Sequence, residues 1–276
     1  MRRRLGSGKA LIIMGARQVG KTTLLHQLLD GDEGVLWLTG DEQDVRDMME
    51  SATAVRLRQF FGKHSTVVID EAQRIADVGI KLKLITDYLK EYQLIATGSS
   101  SFELANRINE PLTGRKWEFR MFPLSFSEMV QHTDLLQEKR MLPHRLVYGY
   151  YPDVVAHEAD ARQILSQLAD SYLFKDVFQF GLIHKPDNLI KLLKALAYQV
   201  GSEVSNAELA QLCGLDAKTV EKYITVLEQS YIIFRLGSYS SNLRNELKFK
   251  RKIYFVDRSE ERRVGKECRS RWSPYH

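Results

Sequence analysis

The sequence predicts an α/β fold: a parallel sheet between two layers of helices, followed by a helical region and a small helix-turn-helix domain. Three observations predict it. Short continuous apolar runs, not alternating ones, recur up to Phe122, which suits strands buried on both faces. Helical periods separate these runs, and strands alternating with helices form right-handed βαβ units. Beyond Pro123 the pattern changes to helices, with strands returning only near the end.

Taken in order, Ala10 to Met14 reads as a strand ending at Gly15. Thr22 to Leu29 follows as a helix with Leu24, Leu25 and Leu28 on one face. Val35 to Leu38 is the second strand, Asp44 to Phe61 one helical span, and Thr66 to Asp70 the third strand. Ile80 to Tyr92 carries a helical period, Gln93 to Thr97 is the fourth strand and Trp117 to Phe122 the fifth. Ser125 to Met129 starts a helix leading away, and residues 130–200 hold helical patterns broken at Pro143, Gly149, Pro152 and Gly181. Ser205 to Phe234 has a helix-turn-helix pattern. Ser205 with Glu208 gives a capping-box signature, and Gly214 followed by Asp216 gives the turn and second N-cap. Val220, Ile224 and Leu227 form a buried stripe, and a strand at Tyr231–Leu236 completes a winged-helix pattern; Lys252–Val256 reads as another strand, opening a sheet that later sequence would complete. The expected divisions are 1–124 for the α/β core, 125–200 for a helical linker, 201–240 for the winged helix and 241–257 for the start of a further domain.

With 276 residues, 44% of them hydrophobic, the chain can build one substantial core and a smaller domain. It has no run of eighteen apolar residues and no charged-then-apolar leader, which predicts a cytoplasmic protein with no membrane partner. Cys213 and Cys268 cannot make a disulfide framework, and the scattered histidines do not suggest a zinc site. Residues 258–276, RSEERRVGKECRSRWSPYH, match the in-frame translation of a common short-read sequencing adapter and are expected to be foreign to the fold. That segment supplies +3 of the formal +5 charge, so the basic balance is no argument for nucleic-acid binding.

The chemistry concentrates in two motifs. Gly15-Ala16-Arg17-Gln18-Val19-Gly20-Lys21-Thr22, with Thr23 following, is a G-x-x-x-x-G-K-T loop between a strand and a helix. Glycines let backbone N–H groups converge on phosphates at a helix N-terminus, Lys21 offers a charge to the β/γ-phosphates, and the Thr22 hydroxyl can ligate Mg²⁺. Val67-Val68-Ile69-Asp70-Glu71 is an apolar strand ending in paired carboxylates. Asp70 suits the Mg²⁺ shell and Glu71 a general base that polarises water. After the fourth strand, Thr97 and Ser99 are both candidates to sense the γ-phosphate, Ser99 having an N-cap role as its alternative. Arg115 is a candidate arginine finger, with Arg107 the second choice. The second helix of the helix-turn-helix could enter a DNA groove, but Lys218, Glu221, Lys222 and Glu228 cancel, which favours packing instead.

Together GARQVGKTTLL, VVIDEAQ, ATGSSSFEL, LTGR, FPLSFSE, YPDVV and KIYFVD resemble the prokaryotic AAA-superfamily ATPases with a C-terminal domain of unknown function, over residues 8–257. The resemblance implies a P-loop NTPase core with the Thr97 strand between the loop strand and the Asp70 strand. It implies ATP and Mg²⁺ as ligands, and a winged helix opening the C-terminal region. It also implies a nuclease-like region beyond KIYFVD, none of whose residues this sequence contains. Such proteins have a helical lead-in before the first strand, for which Met1 to Lys9 is short. The expected function is Mg²⁺-dependent ATP hydrolysis driving a conformational change, linked to DNA or in a homo-oligomer. The alternatives are a nucleotide-regulated switch and a winged-helix DNA-binding regulator.

Overall fold

Residues Ala10–Gly15 are buried along their whole length because they form β1, a strand inside a parallel sheet. The computed structural model describes residues 1–98, 111–168, 186–237 and 251–257. The chain divides into two units, Met1–Met121 and Phe122–His276.

In the first unit, β1 is followed by α1 (Lys21–Leu28), β2 (Val35–Thr39), α2 (Gln43–Glu50), α3 (Ala54–Phe61) and β3 (Thr66–Asp70). Next come α4 (Val78–Tyr88), β4 (Gln93–Gly98) and β5 (Lys116–Met121). The five strands are parallel in the order β2-β3-β4-β1-β5, so the Thr97 strand lies between the loop strand and the Asp70 strand. Leu11, Ile13, Val68 and Ile95 share one face with Leu25 and Leu29 from the α1 region. Ile12, Met14, Val67 and Ile69 point the other way and are equally buried. Both faces are therefore covered, which explains why these strands read as continuous apolar runs.

Two helix expectations differ from the structure. The span 44–61 is two helices, because the Thr53 hydroxyl accepts the Arg56 N–H at 3.3 Å and caps a new start. Helix α4 stops at Tyr88 rather than reaching Tyr92, whose hydroxyl donates to the Gly62 carbonyl at 3.0 Å. Tyr92 serves a tertiary contact that a helical position would not give it.

The second unit contains α5 (Phe126–His132), α6 (Leu135–Tyr148), α7 (Pro152–Ala156), α8 over residues 161–168 and α9 (Pro186–Tyr198). These are followed by β6 (Glu203–Val204), α10 (Asn206–Cys213), α11 (Ala217–Gln229), β7 (Ile233–Leu236) and β8 (Arg251–Phe255). A full capping box starts α5, with Ser125 and Glu128 each bonded to the other's backbone. No such box forms at Ser205, whose side chain makes no cap bond, and Glu208 Oε1 accepts from Gln199 Nε2 at 3.0 Å. Asp216 does cap α11, accepting the Thr219 N–H at 2.9 Å. Helix α6 runs through Pro143, where the sequence predicted a break. The proline removes one backbone donor, but a buried pair spans it, Arg145 Nε to Glu138 Oε1 at 3.2 Å. Glu158 also meets Arg145 Nη2 at 2.9 Å.

Strands β6, β8 and β7 form an antiparallel sheet with β8 in the middle. Lys252–Val256 was expected to open a sheet that later sequence would complete. Instead β8 is paired on both sides, Ile253 and Phe255 with Arg235 and Ile233 of β7, and Arg251 and Lys252 with Val204 and Glu203 of β6. Just beyond it the buried Asp257 carboxylate accepts the Tyr150 N–H at 2.8 Å. Gly149 precedes that contact with φ 73° and ψ −160°, a region costly for any side chain. A Cβ there would lie 1.7 Å from Asp257 Oδ1.

Gly149→Ala should therefore lower the unfolding free energy by about 2–4 kcal/mol. Gly214→Ala, also at positive φ but with open space around it, should cost only about 1–2 kcal/mol. Urea denaturation compares the two; equal losses would show that the contact with Asp257 has no weight of its own.

Candidate nucleotide-binding site

Because β1 runs to the C-terminal edge of the sheet, it delivers Gly15 there, and the chain turns through 16–20 into α1. Gly15 must be glycine: a Cβ would lie 2.1 Å from the Met121 carbonyl oxygen of the neighbouring strand. Gln18 at φ 58° and Gly20 at φ 90° take left-handed conformations within the turn. Such turns gather backbone N–H groups on one side, and the start of α1 adds its partial positive charge. The loop is thus a concavity for an anion. Lys21 is buried, and its Nζ donates to the Gly15 and Ala16 carbonyls at 2.9 and 2.7 Å.

Thr22, one residue further, reaches across to β3, where its hydroxyl donates to Asp70 Oδ2 at 2.8 Å. The other oxygen, Oδ1, accepts from the hydroxyl of Thr97 on β4 and from the Glu71 N–H, the latter at 3.1 Å. Thr97 is fully buried, and its oxygen also lies 3.2 Å from the Glu71 N–H. Of the two sensing candidates, the structure brings Thr97 to Asp70 and Glu71; Ser99 and Arg107 lie outside the described residues.

Glu71 has φ 48°, a conformation uncommon outside glycine and a cost held by its surroundings. Those surroundings are visible. Gly40 donates its N–H to the Asp70 carbonyl at 2.8 Å, and a Cβ on Gly40 would lie 2.4 Å from the Glu71 carbonyl oxygen. Gln73, in the short turn Ala72–Arg74, is buried and donates its amide N–H to a Glu71 carboxylate oxygen. Gln73 and Gly40 were not singled out from the sequence. Gln73 sits inside the VVIDEAQ run, so its nearness to Glu71 was the available signal.

The donor set fits a hydrated magnesium ion. Among the described residues no group of three His, Cys, Asp or Glu side chains could hold a metal alone. Mg²⁺ commonly takes one or two protein oxygens, with phosphate oxygens and waters completing its shell. The Thr22 hydroxyl and Asp70 carboxylate, already in contact beside an anion cradle, are such oxygens.

Arg115 is not brought to this site. Its carbonyl accepts from Ala10 N–H at the start of β1, and its guanidinium pairs with Asp87 of α4 at 2.6 Å. Strands rise about 3.3 Å per residue, so the length of β1 separates Arg115 from Gly15. β5 starts at the edge of the sheet opposite the loop, with Lys116 paired to Ala10 and Met121 to Gly15.

Comparison with known proteins fits this geometry. Residues 7–130 match the family model described as an AAA domain, and residues 139–259 match a domain of unknown function, DUF8612. An uncharacterized protein of Haemophilus influenzae is 25% identical over 93% of this chain and 69% of its own length. Another, of Mycobacterium tuberculosis, is 24% identical over 93% of the chain and 56% of its own length. A third, of Methanocaldococcus jannaschii, is 21% identical over 84% and 57%. The chain thus spans roughly 56–69% of the length of these relatives. Among solved structures, the Walker-type ATPase of Pyrococcus abyssi shares the fold, with a TM-score of 0.61 at 13% identity over 92% of this chain and 90% of that one. The first unit is an α/β fold with five parallel strands, and its likeness to the AAA domain model supports nucleotide binding. No helix among the described residues is long and apolar enough to cross a membrane.

Arg115→Ala should leave nucleotide affinity unchanged and cost at most about 1 kcal/mol of stability, as a partly exposed ion pair does. Calorimetric titration checks this; a tenfold loss of affinity would return Arg115 to the binding site.

Proposed function

We propose that this chain binds ATP with Mg²⁺ at the loop 15–23 and hydrolyses it, using the cycle to change its conformation. The observation that carries the reading is the Asp70 carboxylate, bonded at once to Thr22 beside the anion cradle and to Thr97 beside Glu71. The loop N–H groups and the N-terminus of α1 would hold the β- and γ-phosphates. Lys21 exchanges its bonds to the Gly15 and Ala16 carbonyls for phosphate oxygens. Thr22 and Asp70 would hold the magnesium ion, whose positive charge offsets charge on the transferred phosphoryl group. Glu71 accepts the proton of the attacking water, and the buried Thr97 fixes the Asp70–Glu71 backbone on which both carboxylates stand.

We further propose that the winged helix expected over residues 201–240, joined by β8 (Arg251–Phe255), packs rather than reads DNA. The order β6-α10-α11-β7-β8 and the β6-β8-β7 sheet support the winged helix. The packing role is supported by burial. Helix α11 hides Val220, Tyr223, Ile224, Val226 and Leu227, leaving Lys218, Glu221 and Lys222 exposed with nearly balanced charge.

Two substitutions separate binding from turnover. Lys21→Ala should weaken ATP binding at least a hundredfold by calorimetry, since the cation facing the β/γ-phosphates is gone; parent-like affinity would refute the phosphate assignment. Glu71→Gln should retain affinity while turnover falls about a hundredfold or more. Unchanged phosphate release would place the base elsewhere, and a parent protein that binds ATP without turnover would make it a switch.

A further inference from the structure

Among the described residues, the Asp70 carboxylate and Thr97 hydroxyl meet the Glu71 N–H, and the Gln73 amide meets its side chain. The first two fix where the backbone of Glu71 stands. Neither orients its carboxylate. A glutamate side chain has three rotatable bonds, and a general base must present its oxygen to water within hydrogen-bond reach. In this structure Gln73 Nε2 donates to Glu71 Oε2.

We propose that Gln73 is the positioning residue of the hydrolytic site, holding one oxygen of Glu71 so that the other faces the attacking water. This rests on the ATPase reading above and deepens it. The geometry suits the task. Gln73 is buried, so its own rotamer is held by packing rather than left to solvent. It stands in the turn Ala72–Arg74 that directly follows the left-handed Glu71, and Arg74 N–H donates to the Glu71 carbonyl at 3.0 Å. The left-handed residue sharply reverses the chain, which lets a side chain two positions later fold back onto the carboxylate. In an extended continuation of β3, residues two apart would share a face but run parallel, without meeting tip to tip. The strain at Glu71 and the bond from Gln73 are therefore parts of one device: the first makes the second possible. An amide is also the fitting donor, since it carries no charge to neutralise the base and no proton that it readily gives up.

The test is a double-mutant cycle in the full chain with ATP and Mg²⁺. Gln73→Met keeps length and apolar bulk but removes the donor; Gln73→Asn keeps the amide but shortens its reach. Both should lower kcat about tenfold with KM and nucleotide Kd unchanged, because misplacing a reacting group costs rate and not binding. In a Glu71→Gln background neither should lower the residual turnover further, because Gln73 acts only through Glu71. A merely structural role would instead weaken nucleotide binding or melting temperature alike in both backgrounds, and that result overturns the proposal. So does parent-like kcat in either folded variant. If the parent itself binds no ATP or releases no phosphate, the ATPase reading fails and this inference with it. A parent that hydrolyses ATP beside unaffected Gln73 variants sinks the inference alone.

Discussion

The carboxylate of Asp70 ties together segments far apart in sequence. Through Oδ2 it holds Thr22 at the start of α1, and through Oδ1 it holds Thr97 on the next strand. Its own position comes from β3, pinned between β2 and β4 by parallel pairing. Without that carboxylate two buried or half-buried hydroxyls would lose their acceptor, and leaving such groups unpaired costs more than the bond itself contributes. The edge of the sheet where β1, β3 and β4 end is thus a single polar network laid over an apolar core. Burial on both faces fixes the strands, and fixed strands bring the polar ends into register.

Close backbone approach is the second constraint on that edge. Gly15 lies against Met121 of β5, and Gly40 against Glu71, each with no space for a side chain. These glycines sit at the ends of strands, where the chain must pass close to its neighbour and turn. Gly15 thus lets β1 lie close against β5, and Gly40 lets the chain after β2 lie close against the turn after β3; the loop after β1 is joined to β3 by the Thr22–Asp70 bond.

The second unit is held by a different device. Glu138, Arg145 and Asp257 are buried charges, each with a partner: Arg145 joins Glu138 and Glu158, and Asp257 receives the Tyr150 N–H. Buried charges are tolerated only when paired, and they specify position more than they add stability. Burial, with the Glu138 carboxylate nearby, pushes the Tyr150 hydroxyl up to about 12, so it stays protonated near neutral pH. The Asp257 contact joins the chain after α6 to the strand β8, more than a hundred residues later in sequence.

The strands and the phosphate loop were legible in the sequence, because a buried parallel strand needs a continuous apolar run and a phosphate cradle needs glycines and a lysine at fixed spacing. Asp70 and Glu71 were legible for the same local reason, as carboxylates closing such a run. What a one-dimensional reading missed depends on contacts across the fold. Thr53 begins a second helix through its own cap, and Tyr92 leaves a helix to reach Gly62. Pro143 lies inside α6, between the paired Glu138 and Arg145. That Thr97 bonds to Asp70 is likewise invisible locally, since it depends on the parallel register of β3 and β4. Strand direction carries Arg115 to the edge of the sheet opposite Gly15, where it pairs with Asp87. Gln73 looked ordinary until the left-handed turn at Glu71 folded it back. Sequence alone determined which groups the protein has for chemistry, because spacing along the chain encodes local geometry; only the tertiary structure decided which of them meet, because that depends on how strands far apart in sequence align.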